Sequence, residues 1–142
     1  MIEDDEEGLN RLAQEIQNYQ QQGQFVQQQL SSIQATLNEI AAAEGTIKGI
    51  KTVNDEEVLV PLGAGAHMQA KIVNPDKILI NIGADVIAEK PIKEAIEILG
   101  ERRKRLELTH DKLQESISEI SNKLQQLDAN AKKILAKKGM RQ

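Results

Sequence analysis

Two histidines, a run of four basic residues and a pair of glycines are the features of this sequence whose types and spacing could do chemistry. His67 and His110 each stand alone, and the chain has no Cys. Metal binding needs several N, S or carboxylate ligands together, and acid–base work needs a positioned partner. No second His and no cluster of carboxylates accompanies either histidine, and His110 falls among leucines as a tolerated polar residue of a helix. Gly63 and Gly65 suggest a phosphate-cradling loop, but such a loop leads into Lys-Ser/Thr and a helix start, and neither follows here. Arg102-Arg103-Lys104-Arg105 could meet phosphates. Consecutive helical residues point in four directions, however, and form no single face. The run reads better as a solvated band that pairs with acidic residues of the first third, Glu39 and Glu44 being the candidates. The Gln-rich stretch 20–29 reads as ordinary helix surface, because an intact hydrophobic repeat runs beneath it. No catalytic residue, cofactor or metal is expected, and the chain is not expected to be an enzyme.

The composition narrows the class further. The chain has 142 residues, 28% of them charged and 39% hydrophobic, with a single Phe, a single Tyr and no Trp. A compact core of this size normally relies on aromatic bulk, so a compact core is not expected. The absence of Cys fits a reducing cytoplasm. Apolar runs last only a few residues, which predicts no membrane span and no signal-peptide core. The net charge of −4 argues against general nucleic-acid binding. It is unevenly spread: residues 1–47 carry a net −7, residues 48–90 a net −1 and residues 91–142 a net +4. An acidic first third and a basic last third attract one another when they run side by side.

Both ends read as coiled-coil helices. From Leu9 the stripe steps by three and four through Leu12, Ile16, Tyr19, Gly23, Val26, Leu30, Ile33, Leu37, Ile40 and Glu44 to Ile47, with ten of twelve sites apolar. A seam this narrow marks a coiled coil rather than a globular amphipathic helix. Asp4 or Asp5 can cap the start. The second stripe is Ile92, Ile96, Leu99, Arg103, Leu106, His110, Leu113, Ile117, Ile120, Leu124, Leu127, Ala131 and Ile134, eleven of thirteen sites apolar. Pro91 suits the first helical position, Lys132, Lys133, Lys137 and Lys138 suit the negative end of the dipole, and Gly139 can end the helix. Each helix is expected to be roughly 60–70 Å long at 1.5 Å per residue.

Between the helices the period changes to two. Val58-Leu59-Val60 leads to a glycine loop. Ala66, Met68, Ala70 and Ile72 then alternate with polar residues, as in a half-buried strand. Asn74-Pro75-Asp76 is a turn with Pro preset at its second position. Ile78, Ile80 and Ile82 alternate toward Gly83-Ala84, which fits a II′ hairpin turn leading into Val86-Ile87-Ala88. The organisation is therefore an N-terminal coiled-coil helix (1–47), two β-hairpins (48–90) and a C-terminal coiled-coil helix (91–142). The fold class is mainly α: a long antiparallel coiled-coil hairpin of helices with two β-hairpins between them. About 35 residues of strand are too few to build a core of their own and leave open edges. Hairpins of several chains are expected to join an oligomeric β-barrel hub through Val58, Val60, Met68, Ile72, Ile78, Ile80, Ile82 and Val86.

The order of elements, the stretch Val60-Pro61-Leu62-Gly63-Ala64-Gly65-Ala66 and the stretch from Lys77 to Lys90 (KILINIGADVIAEK) resemble the alpha class of the prefoldin family. The second hairpin points to alpha, since the beta class has one. The resemblance implies a hetero-hexamer of two alpha-class and four beta-class subunits, with six coiled-coil arms projecting from a β-barrel hub. It implies an ATP-independent cytoplasmic chaperone that holds non-native proteins at its tips and hands them to a group II chaperonin, with no nucleic-acid or membrane partner. In an antiparallel hairpin of helices the chain termini lie at the arm tip, where the seam frays. Leu9, Leu12, Ile16, Leu127, Ile134, Leu135 and Met140 are the expected client contacts there, with the second helix overhanging the first. Phe25, at an outward heptad position, is a further candidate. The rival reading is a structural or adaptor coiled coil that spaces two partners, binds no unfolded clients and carries a defined docking patch at its ends.

Overall fold

A computed structural model describes the backbone of residues 2–50 and 57–140 and the side chains of 5–50 and 57–139. The chain runs α1 (Ile2–Ile50), β1 (Glu57–Gly63), β2 (Ala66–Lys71), β3 (Ile78–Gly83), β4 (Val86–Lys90) and α2 (Ile92–Met140). It divides into two compact units. One joins Met1–Ala35 to Glu107–Gln142, and the other is Thr36–Leu106.

In the first unit the two helices lie antiparallel along the expected seams. Every stripe residue from Leu9 to Ile33 and from His110 to Ile134 is at least half-buried, while nearly everything between them is exposed. The narrow seam leaves no wide interior: among its described stripe residues only Leu30 is buried outright, and the rest are half-buried. Gly8 faces Ile134, and Lys138 reaches Glu6 at 3.5 Å. The start of α1 therefore extends as far along the pair as the last turn of α2, so the expected overhang is absent. α1 already begins at Ile2, which places Asp4 and Asp5 inside the first turns rather than at a cap. α2 likewise runs through Gly139 to Met140 instead of ending there.

Gly23 occupies a seam position opposite Ile120, and a Cβ added there meets Ile120 Cγ2 at an ordinary 3.6 Å. A helical glycine costs about 1 kcal/mol relative to alanine. Gly23→Ala is therefore expected to raise the thermal midpoint by stabilising the helix pair by about 0.5–1 kcal/mol. Calorimetric unfolding measures this, and a lowered midpoint would mean that the seam is too tight for a methyl group.

The second unit carries the largest cluster of buried apolar residues. Ile40 and Ile47 of α1, Ile92, Ala95 and Leu99 of α2 and Ile80 of β3 pack together, with Ile78, Ile96 and Leu106 against them. The strand region thus does share a core, formed by docking β3 on the helix bases. Ile80 is 7% exposed within this one chain, so its burial is not left for another subunit. The turn Asn74–Lys77 closes with Lys77 N–H donating to Asn74 O at 3.3 Å, and the Asn74 side chain accepts from Asp76 N–H at 3.1 Å. Asp76 Oδ1 in turn lies 3.5 Å from the N–H of Ile92, one of the orphan donors of the α2 N-terminus. Pro91 lies just before the first helical residue, and its carbonyl accepts the Ala95 N–H at 3.0 Å.

Both hairpins are built alike. β1 pairs antiparallel with β2 and β3 with β4, and each ladder slips by one residue just before its turn, at Leu62 and at Ile82. The bulge removes Ile82 from the Ile78–Ile80 alternation. Ala64 and Gly65 in the first turn, and Ala84 and Asp85 in the second, all have positive φ. Positive φ at both central residues is the type I′ pattern, which matches the strand twist. The second turn is therefore centred on Ala84-Asp85 rather than being a II′ turn on Gly83-Ala84. Ile72 lies just past the end of β2.

The two charged interruptions of the stripes, Glu44 and Arg103, meet in this unit. Arg103 Nε donates to Glu44 Oε1 at 3.0 Å, with the Glu44 side chain 12% exposed and that of Arg103 37%. Arg102 donates to the Asn81 carbonyl, and Arg105 lies 3.8 Å from Glu101. The basic run is thus divided among three separate partners. Removing one partner of a mostly buried pair strands the other, whereas replacing both by apolar residues is often neutral or better. Arg103→Leu alone is expected to cost about 1–3 kcal/mol. Adding Glu44→Leu should recover that loss, as a denaturant double-mutant cycle will show.

Candidate assembly and client-binding surfaces

The hairpins present apolar side chains on both faces because their strands are apolar at consecutive positions. On the first hairpin Val58 and Val60 oppose Ala70 and Met68 across the ladder. Val60 is 44% exposed and Met68 57%, and on the reverse face Leu59 is 65% exposed. On the second hairpin Ile78, Ile80 and Ala88 face the helix bases, while Leu79 and Ile87 point away and are 67% and 65% exposed. Ile82 and Val86 beside the turn are also exposed. Of the residues expected to serve assembly, Val60, Met68, Ile82 and Val86 are accessible, Val58, Ile72 and Ile78 are half-buried, and Ile80 is consumed by the chain's own core.

Leu59, Leu79 and Ile87 are exposed apolar residues outside the expected set, because that set follows one face of each strand at a period of two. The uninterrupted runs Val58-Leu59-Val60 and Ile78-Leu79-Ile80 are where the sequence signals the second apolar face, because consecutive residues of a strand point to opposite sides of the sheet.

At the far end of the first unit Leu9, Leu12, Ile16, Leu127 and Ile134 remain half-buried like the rest of the seam, so the seam is closed rather than splayed there. Leu135 is exposed, and the side chain of Met140 lies outside the described residues. Phe25 is exposed, as its outward heptad position predicts. His110 is half-buried on the seam with its Nδ1 3.9 Å from Asp111, and His67 Nδ1 lies 3.2 Å from the Gly65 carbonyl. Among the described residues no helix is long and apolar enough to cross a membrane.

Two long helices separated by two β-hairpins with type I′ turns form a specific enough arrangement to compare with known proteins. The family model for the prefoldin subunit matches residues 19–137. The chain belongs to the prefoldin family. The prefoldin subunit alpha of Methanosarcina barkeri is 33% identical over 138 residues, covering 94% of this chain and 96% of the relative. The prefoldin subunit alpha of Methanobrevibacter smithii is 30% identical and covers 90% of this chain and 88% of its own. Among solved structures, filamentous prefoldin from Methanocaldococcus jannaschii superposes with a TM-score of 0.70 at 26% identity, over 81% of this chain and 96% of that one. Prefoldin subunits are chaperone components rather than enzymes, and the alpha-class relatives agree with the second hairpin in pointing to that class.

Proposed function

We propose that this chain is the alpha-class subunit of an ATP-independent cytoplasmic chaperone. In this reading it holds non-native proteins at the coiled-coil tips and passes them to a group II chaperonin. Prefoldin family membership over most of the chain is the observation that carries this reading. The exposed apolar faces of the hairpins support it, because they need cover that one chain does not supply. Beta-class subunits are the proposed cover, in a complex of two alpha and four beta. The filamentous relative favours an open polymer of this chain as a second arrangement, and the native mass measured with and without a beta-class partner separates the two.

The purified complex is expected to suppress aggregation of a chemically denatured protein equally with and without ATP and magnesium. Calorimetry is expected to show no nucleotide binding, since the loop at Gly63–Gly65 is a hairpin turn and not a strand-to-helix phosphate cradle. Saturable micromolar nucleotide binding would overturn nucleotide independence, and failure to protect any denatured client would overturn the chaperone reading.

A further inference from the structure

Phe25 is the only Phe in the chain, and it stands 60% exposed on the side of the first unit, away from its tip. It forms the ridge between two open grooves. One, of about 380 Å³, is floored by Tyr19, Val26 and Ile120. The other, of about 460 Å³, is floored by Ile33 and Leu113. Each is large enough to receive an aliphatic or aromatic side chain. The α1 side of both rims is uncharged: Gln22 borders the first groove, and Gln28, Gln29 and Ser32 border the second. From Ile16 to Asn38 the sequence contains no charged residue at all, in a chain that is 28% charged.

We propose that this flank is a second client-contact site and that its occupant is an extended segment of non-native polypeptide. This rests on the chaperone reading above and deepens it. The amide side chains of glutamine both donate and accept hydrogen bonds, which complements the unpaired N–H and C=O groups of an unfolded backbone. The two grooves beside Phe25 take apolar side chains of the same segment. On the α2 side the first groove carries one charge of each sign, Glu119 and Lys123, and the second has Thr109. With no net charge the rims select neither acidic nor basic sequence, which suits a site that must accept many clients. A neighbouring coiled coil is the less fitting occupant, because flanking charges usually set that kind of pairing and α1 offers none here.

The test uses the full-length chain in its assembled state with a photoreactive benzoylphenylalanine in place of Phe25, and separately in place of Leu135, presented with a chemically denatured protein. Adducts to the client at position 25, competed by denatured but not by native protein, are expected. In parallel, Phe25→Ser should leave the unfolding midpoint unchanged, because the ring is mostly in solvent, and weaken client binding by roughly fivefold. The triple change Gln22→Glu, Gln28→Glu, Gln29→Glu should weaken an acidic unfolded client more than a basic one. Adducts at 135 but none at 25 would overturn the flank site and leave tip holding intact. Adducts at 25 only to other subunits would replace it with arm–arm packing. No client adduct at either position would remove the chaperone reading together with the flank site.

Discussion

Replacing Val60 and Met68 together by lysine is expected to abolish assembly while leaving both helices folded. The two residues face each other directly across the first hairpin and are about half exposed in the isolated chain. Their solubility as a free hairpin therefore does not suffer from the change. A barrel that buries them must instead take up two adjacent like charges per chain, each costing several kcal/mol when desolvated without a partner. That exceeds what one hairpin interface supplies, and the cost is repeated at each alpha-class subunit. Light scattering of the reconstituted complex should show free subunits, with the circular dichroism of the helices unchanged. Ile80→Lys is the informative contrast. Ile80 packs against Ile40, Ile47, Ile92, Ala95 and Leu99 of its own chain, so this change should lower the stability of the helix bases as well as any assembly. A complex of unaltered mass in the Val60–Met68 variant would mean that this hairpin face is not part of the hub.

These contrasting outcomes for Ile80 and Val60 also mark how far the sequence could be read. The seams were legible residue by residue because a two-helix coiled coil is governed by one short-range period. Every stripe position from Leu9 to Ile47 and from Ile92 to Ile134 is at least half-buried. Even the two charged interruptions, Glu44 and Arg103, were expected to belong to helix pairing and do meet at 3.0 Å. The hairpins were legible as hairpins but not by face. Alternation identifies the two sides of a strand without saying which is covered by the chain itself, and the docking of β3 on the helix bases is a tertiary event with no local signal. Helix ends were least legible. Asp4, Asp5 and Gly139 have the chemistry of caps, yet pairing between the helices carries both past those residues, as Glu6 and Lys138 show. The second turn shifted by one residue because the bulge at Ile82 displaces the strand register before the turn is reached.

Deleting residues 1–16 and 127–142 is expected to remove most of this subunit's share of client holding without affecting assembly. The deletion takes away Leu9, Leu12, Ile16, Leu127, Ile134, Leu135 and Met140. It leaves the seam from Tyr19 to Leu124, including the contact of Gly23 with Ile120, and all of the second unit. Leu135 is already exposed, and the remaining described members of this set are half-buried on a seam whose end can open at little cost. Each aliphatic side chain contributes up to about 1.5–3 kcal/mol when a client covers it fully, and less where part of it already packs in the seam. Single contacts of that size give weak binding. Several arms of one complex engaging one client raise the effective concentration and convert weak contacts into useful retention. In the proposed complex of two alpha and four beta, this deletion removes two of six tips and should therefore reduce protection more than in proportion for large clients that span several arms, and less for small ones held by the remaining subunits. The measurement is aggregation suppression by intact complexes carrying full or truncated arms on this subunit, over a range of client sizes. Equal protection throughout would reduce these termini to ordinary coiled-coil ends. A residual activity sensitive to Phe25→Ser would then place the holding surface on the flank instead.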